Sequence, residues 1–363
     1  HTRYWRDWSS DVCSSDLKEN LEAGNYQWEK DAIAEHEGFD TYQKSWATSN
    51  FAESQEKNTK IRFVNNMSFN IGAAPSYNDV QYTAHSLNYK IAYILLRMRL
   101  FKLIALGDIS KFYNCVQQSF KDSSLSRFYW KRGGILSDDE WETLVARVML
   151  FGARHSQAVC NSAKRQTSTK YIEPEHPEVD EDVQKSYTDD IGCTTMGTMT
   201  DLESKTGIID EGMKKGGFTV KKWLYSGEEG EHSMGPSSSP SSMLGIKWEA
   251  QKDIWKPSFK VNLLKKVRGR RPDHGNISTT EELKKFVTEN GLSKRQALAA
   301  AHIVFDPNGL YLGVKNNLSI LYRELLLKCP KLQWTEKIPE SLHSIWIRGI
   351  EMILEIGDME VPR

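Results

Sequence analysis

The stretch Tyr187-Thr188-Asp189-Asp190, inside KSYTDDIGCTTMG, constrains the fold of this chain more than any other. Neighbouring residues of a strand point to opposite faces, so only a tight hairpin aims two adjacent carboxylates at one place. Ile191, Cys193, Thr194 and Thr195 suit a strand on the far side, and Tyr187 and Thr188 suit the near side. The expectation is a β-hairpin with both aspartates at its tip. Adjacent carboxylates repel unless a cation lies between them, so a divalent-metal site is one reading. A solvated Asp-Asp turn is the other.

A further acid bears on that choice. In residues 104–113, IALGDISKFY, Asp108 ends an apolar run and precedes the aromatic pair Phe112-Tyr113. A strand that delivers an acid from its end to a shared site has this form. In this order, the two stretches resemble the A and C motifs of reverse transcriptases, in particular the polymerases of BEL/Pao-type LTR retrotransposons, and the likeness runs over about residues 55–350. The resemblance implies an α+β fold of the right-hand polymerase type, with palm and fingers, an antiparallel palm sheet backed by helices, and a C-terminal helical thumb- or connection-like part. Its implied divisions are a truncated fingers-like part over 18–85, a palm with an inserted fingers segment and motifs A to E over 86–250, and the helical region over 251–363.

The activity implied is RNA-directed DNA synthesis by two-metal nucleotidyl transfer to a primer 3′-hydroxyl. Its cofactors are two Mg²⁺ ions, with Mn²⁺ as a substitute, on Asp108, Ile109, Asp189 and Asp190. In TKIRFVNNMSFN, Arg62 occupies the place of the fingers arginine that grips the triphosphate, a task suited to a planar guanidinium fork. Asn65-Asn66 stands where the family has Phe-Asp. Tyr113 falls at the steric-gate position. Phe151 and Gly152, in FGARHSQ, resemble the start of the B motif and belong to the nucleotide site, with Ala153 and Gln157 replacing the usual leucine and proline. His155 beside them reads as a bystander. In KKGGFTVKKW, which resembles the D motif, Lys222 is the candidate proton donor to pyrophosphate; Leu244 and Gly245, in LGIKW, resemble the primer grip. The implied partners are an RNA/DNA template-primer and deoxynucleoside triphosphates. Protease, ribonuclease H and integrase domains are expected in the full polyprotein, although this chain shows no motif of them. The implied location is a cytoplasmic virus-like particle with a nuclear phase. The alternatives are a decayed or domesticated fragment that binds nucleic acid without polymerising, and a purely structural subunit.

Composition sets the remaining bounds. The chain of 363 residues carries 48 basic and 48 acidic side chains, so nucleic-acid binding requires segregated charge. Residues 252–271 hold eight basic residues against Asp253 alone, while 173–182 is acidic and reads as a solvated surface run. Five scattered cysteines without Cys-x-x-Cys spacing argue against a disulfide framework and structural zinc. No apolar run reaches the ~20 residues of a membrane span. Residues 6–17, RDWSSDVCSSDL, resemble a translated sequencing adapter, so 1–17 is set aside as non-native.

Local patterns predict loop and irregular helix over 18–58, a helix over 89–102, and a strand at Phe128-Tyr129-Trp130. At 137–149 a capping box, Ser137-Asp138-Asp139-Glu140, predicts a helix, whereas the resemblance implies a strand over 143–150 and is followed here. A helix is expected over 157–170, and another from the capping box Thr200–Glu203 to Gly216-Gly217. A flexible insertion is expected over 228–242, and a helix from the capping box Ser293–Gln296 to about Phe305. Asp306, before a proline, reads as a turn residue. Two amphipathic helices over 312–357 are expected to be anchored by Trp334 and Trp346.

Overall fold

The apolar runs and alternations become a mixed α and β structure built on small sheets. The computed structural model describes residues 17–35, 46–47, 49–54, 61–70, 72–123, 125–132, 138–227, 241–265, 272–357 and 359–363. The strands are β1 (Tyr26–Trp28), β2 (Trp46–Ala47), β3 (Ser49–Ser54), β4 (Ile61–Asn66), β5 (Leu103–Ile109), β6 (Ser126–Trp130), β7 (Glu142–Ala146), β8 (Asp190–Thr195), β9 (Val220–Tyr225), β10 (Ser241–Met243), β11 (Ile246–Glu249), β12 (Ile254–Lys256), β13 (Val261–Asn262), β14 (Asn276–Ile277) and β15 (Val361–Pro362). The longer helices are α1 (Glu29–Glu35), α2 (Ile91–Leu100), α3 (Ser156–Tyr171), α4 (Pro177–Gln184), α5 (Met199–Lys215), α6 (Thr280–Asn290), α7 (Lys294–Ala301), α8 (Leu312–Lys328) and α9 (His343–Ile356). Two compact units, each discontinuous in sequence, divide the chain.

The first unit comprises His1–Tyr89, Gly107–Ile191 and Ser204–Lys222. Its four-stranded sheet has the order β1-β7-β6-β2, antiparallel except for the parallel β2–β6 pair. Phe128 and Trp130 of β6 face a core with Tyr26, Leu144, Ala146 and Leu150, while Tyr129 between them is exposed, the period-2 pattern of a one-faced strand. β3 and β4 pair as a separate antiparallel ribbon.

The second unit comprises Lys90–Leu106, Gly192–Glu203 and Trp223–Arg363. Its four-stranded sheet has the order β10-β11-β12-β15. A helical core gathers Leu283 and Val287 of α6, Ala297 and Ala300 of α7, Leu318, Leu321 and Leu325 of α8, and Trp346, Ile350 and Ile353 of α9. The residues of α8 and α9 repeat at the i, i+3/i+4, i+7 spacing of an amphipathic helix. Gly349 lets the two helices close up, since a Cβ there would lie 2.9 Å from Leu318 Cδ2. Arg363 is 3 % exposed at its side chain and satisfies every guanidinium donor: Nε and Nη2 reach the Asp253 carboxylate, each at 2.6 Å, and the remaining donors reach the carbonyls of Met98 in the last turn of α2 and of Phe101 and Lys102 after it.

A three-stranded sheet has the order β8-β5-β9. Residues 104–107 of central β5 are all buried, as a strand covered on both faces requires. The strand ends that carry Asp108, Asp190 and Lys221 fall in the first unit.

Several expectations change. Residues 18–35 hold the expected irregular helix as a short helix and α1, but also an unexpected strand, β1, which is tied to β7 by main-chain pairing that weak side-chain patterning did not signal. Leu17, set aside with the adapter-like segment, is buried in the first unit's core. The strand followed over 143–150 is present as β7, shorter and starting at Glu142, and residues 138–141 form no helix, because tertiary pairing with β1 and β6 overrides the local capping signal; Ser137 itself lies outside the described residues. The cap of α5 lies two residues earlier than expected: Thr198 Oγ1 accepts from Asp201 N, and Asp201 Oδ2 accepts from Thr198 N. Its far end is a Schellman turn, with Phe218 N donating to Met213 O and Gly217 at φ 83°. The Ser293 capping box holds, but α7 ends at Ala301. Trp346 is a core anchor, whereas Trp334 is 45 % exposed and is not part of the helical core. Asp182, in the acidic run read as solvated, is buried 3.8 Å from Lys205 Nζ. Asp306 accepts from Leu310 N and Tyr311 N, a turn role as expected. The insertion at 228–240 and the basic residues 266–271 lie outside the described residues. The four described cysteines are free, and no described helix is long and apolar enough to cross a membrane.

Candidate active site

Tyr187 and Asp190 exchange both main-chain hydrogen bonds, at 3.0 and 2.9 Å, so Thr188 and Asp189 are the two central residues of the turn. Thr188 has φ 51° and Asp189 does not share the positive sign, the φ pattern of a II′ turn. The tip therefore holds one aspartate rather than two. Asp190 is the first residue of β8, and the near arm is a single bridge at Tyr187, not a strand. The long-range partner of this segment is β5 instead: Ile109 N donates to Asp189 O at 2.9 Å.

That pairing brings the acids together. The Asp108 and Asp189 carboxyls lie within hydrogen-bonding reach of each other, with Asp190 alongside. Burial first, then the neighbouring Asp108, raises Asp189 above the usual carboxylate range. Asp190 is pushed up to about 7, mainly by burial and then by Asp189 and Asp108. Such crowding is the electrostatic signature of a place that favours added positive charge. One cation is already present: Lys221 Nζ stands 2.5 Å from Asp108 Oδ2. Lys222, the sequence candidate, is the next residue of β9, and successive strand residues face opposite sides. Among the described residues no three His, Cys, Asp or Glu side chains form a ready-made metal cage. The donor set still fits a hard divalent ion: two carboxyls meet, a third is adjacent, and Asp108 is held by an ammonium that a cation would replace.

Lys164, a residue not singled out in the sequence, is 1 % exposed beneath the turn. Its Nζ donates to Ser186 Oγ and Thr188 O, both at 2.6 Å, and lies 5.6 Å from the Phe112 ring centroid. Burial and Arg165 lower its pKa to about 7, against the pull of Asp189 and Asp190. Asn88 Oδ1 accepts from Thr188 N at 3.0 Å, and Thr188 Oγ1 accepts from Asn88 Nδ2 and Gln157 Nε2, each at 3.1 Å. Asn161 Nδ2 completes the set on Asn88 Oδ1 at 3.0 Å. Gln157, Asn161 and Lys164 recur at i, i+4 and i+7 of α3, so a polar stripe at helical period was the available signal.

The nucleotide-site candidates are partly assembled. The Tyr113 and Phe151 rings meet edge to face at 5.5 Å, and burial raises the Tyr113 pKa. Gly152, at φ 91°, offers its carbonyl to Asn78 Nδ2 at 3.0 Å, and the Asn78 Oδ1 accepts from Arg154 N. Asn65, one of the off-pattern pair, is buried, with no partner for Oδ1. His155 Nδ1 meets Gln81 Oε1. Arg62 sits opposite Glu53 in the β3–β4 register, and its side chain lies outside the described residues. Leu244 and Gly245, in the second unit, have φ 48° and 89° and form the two-residue turn of the β10–β11 hairpin, the I′ pattern. Lys252, Lys256 and Lys260 of the basic run pair with Glu249, Glu249 and Glu360, and Asp273 respectively.

A scan of the chain against protein-family models finds no match, and a search among curated proteins finds none.

Proposed function

We propose that the chain is the palm-containing part of a reverse transcriptase, a nucleotidyltransferase that extends a primer by copying a template. The observation that carries this reading is the meeting of Asp108 with Asp189 at paired backbone segments, with Asp190 in the adjoining position. Asp108 and Asp189 would hold the divalent ions, with Ile109 and Asp190 adjacent. Bound Mg²⁺ would supply charge neutralisation on the phosphates and a lowered pKa for the primer 3′-hydroxyl.

The chain's own residues have separable tasks in this reading. Lys221, already beside Asp108, is the group placed to give a proton to departing pyrophosphate, in place of Lys222. The Tyr113–Phe151 aromatic pair forms an apolar wall for the incoming sugar, and Gly152 leaves backbone open beside it. The palm assignment of the β8-β5-β9 sheet, the template-primer and nucleotide partners, and a polyprotein context follow from the motif order together with this cluster.

A second reading, a fragment that binds nucleic acid without polymerising, is favoured by the Lys221–Asp108 ion pair, which neutralises one of the acids. Primer extension on a homopolymer template with Mg²⁺ or Mn²⁺ separates the two. Incorporation that disappears in Asp189→Asn supports the polymerase; duplex binding with no incorporation supports the second reading. Neither binding nor incorporation overturns both.

A further inference from the structure

Thr188 is a β-branched residue in left-handed backbone, a conformation that normally belongs to glycine or asparagine. Such strain persists only where surrounding contacts over-determine it. Here they do. The Thr188 N–H, carbonyl and hydroxyl oxygen each have a side-chain partner, and those partners come from Asn88 and one face of α3. A turn that only reversed the chain would need none of this. Three further features make the set specific. Asn88 clamps both the amide and the hydroxyl of the same residue. Asn161 orients Asn88, and its own amide also donates to Gln157 O at 2.9 Å. Lys164 is fully enclosed, and its second acceptor, Ser186, passes a hydrogen bond on to Val183 O.

We propose that Asn88, Gln157, Asn161 and Lys164 are positioning residues that hold Thr188 left-handed and so set the direction of the Asp189 and Asp190 carboxylates. The catalytic consequence rests on the polymerase reading; the mechanical one does not. The network also gives Gln157 a purpose. A proline there, with no side-chain donor, would leave the Thr188 hydroxyl without one of its partners, so Gln157 and Thr188 act as a matched pair.

The test uses the full chain with two readouts: amide hydrogen exchange of segment 186–191 followed by mass spectrometry, and primer extension with Mg²⁺ over a range of nucleotide concentrations. Removing buried Lys164 alters packing as well as hydrogen bonding, so Thr188→Val and Gln157→Leu carry the test. Each is expected to speed exchange in 186–191 by about tenfold while the β1-β7-β6-β2 sheet exchanges as in the wild type. Each is expected to lower kcat about tenfold with KM for nucleotide held within about twofold, in line with the roughly hundredfold loss that ~1 Å of misplacement can cause. Thr188→Ser, which keeps the hydroxyl, should behave as wild type. Gln157→Leu added to Thr188→Val should change nothing more, because its acceptor has gone. Wild-type exchange in Thr188→Val, or additive losses in the double variant, would overturn the proposal. Absence of incorporation by the wild type would instead refute the polymerase reading, and exchange alone would then decide whether the network holds the turn.

Discussion

Replacing Asp190 with asparagine should make this protein more stable, by an amount that grows as pH rises from 5 to 7 and then levels off. Asp190 is half-buried beside two other acids and titrates at about 7, against 3.8 for an ordinary aspartate. Because the folded pKa is raised, protonation stabilises the fold fully below about pH 4, and that share is lost as pH rises through 7. At about 1.4 kcal/mol per tenfold step, the ionised group costs the fold roughly 4 kcal/mol at pH 8 and about 1.5–2 at pH 5. An asparagine side chain must still be buried, which trims the gain to about 2–3 kcal/mol at pH 8 and to near zero at pH 5. The assay is thermal unfolding of wild type and Asp190→Asn with a chelator present, at pH 5 and pH 8. A rise of about 5 °C is expected at pH 8 and little change at pH 5. Millimolar Mg²⁺ should narrow the gap, since a cation does for the wild type what the amide does for the variant. Equal or lower stability of Asp190→Asn at pH 8, or a gain that ignores pH, would refute the electrostatic account of the cluster.

Other substitutions address single contacts. Lys221→Met should cut primer extension about tenfold or more while Lys222→Met leaves it within about twofold, and both should change stability by less than about 1 kcal/mol because the side chains are exposed; the reverse order in steady-state rates would return the role to Lys222. Gly192→Ala should cost about 1–3 kcal/mol in urea unfolding, since its Cβ would fall 2.1 Å from Met98 Cε, and a neutral result would show that Met98 simply moves aside. Arg127→Met should cost about 3 kcal/mol by the same measurement, because Arg127 is buried and holds Glu29 at 2.6 Å; a loss under 1 kcal/mol would show that Glu29 is adequately hydrated without it.

What could be read from the letters depended on whether side-chain chemistry or backbone register decided the outcome. β5 was legible because a buried central strand must be continuously apolar up to the acid it exposes. The turn before β8 was legible because adjacent acids and flanking strand formers leave few alternatives, though which residue leads the strand depended on hydrogen bonding that spacing does not encode. Lys221 and Lys222 differ only by strand parity, and a shift of one residue exchanges their faces. Asn161 and Lys164 escaped notice, and Gln157 was read only as a replacement for proline, because polar residues at helical spacing ordinarily mark the wet side of a helix, whereas here Asn161 and Lys164 are enclosed. The strand at 26–28 and the cap at Thr198 were fixed by neighbours distant in sequence or by a two-residue offset between equally acceptable capping boxes.

Arg363 carries a practical consequence. Its guanidinium closes the carbonyl of Met98 in the last turn of α2 and those of Phe101 and Lys102 just beyond it, and grips Asp253 at the same time, so the single substitution Arg363→Ala would strip every one of those bonds at once. One side chain thus ties the end of α2 to the turn between β11 and β12, and losing it would loosen both together.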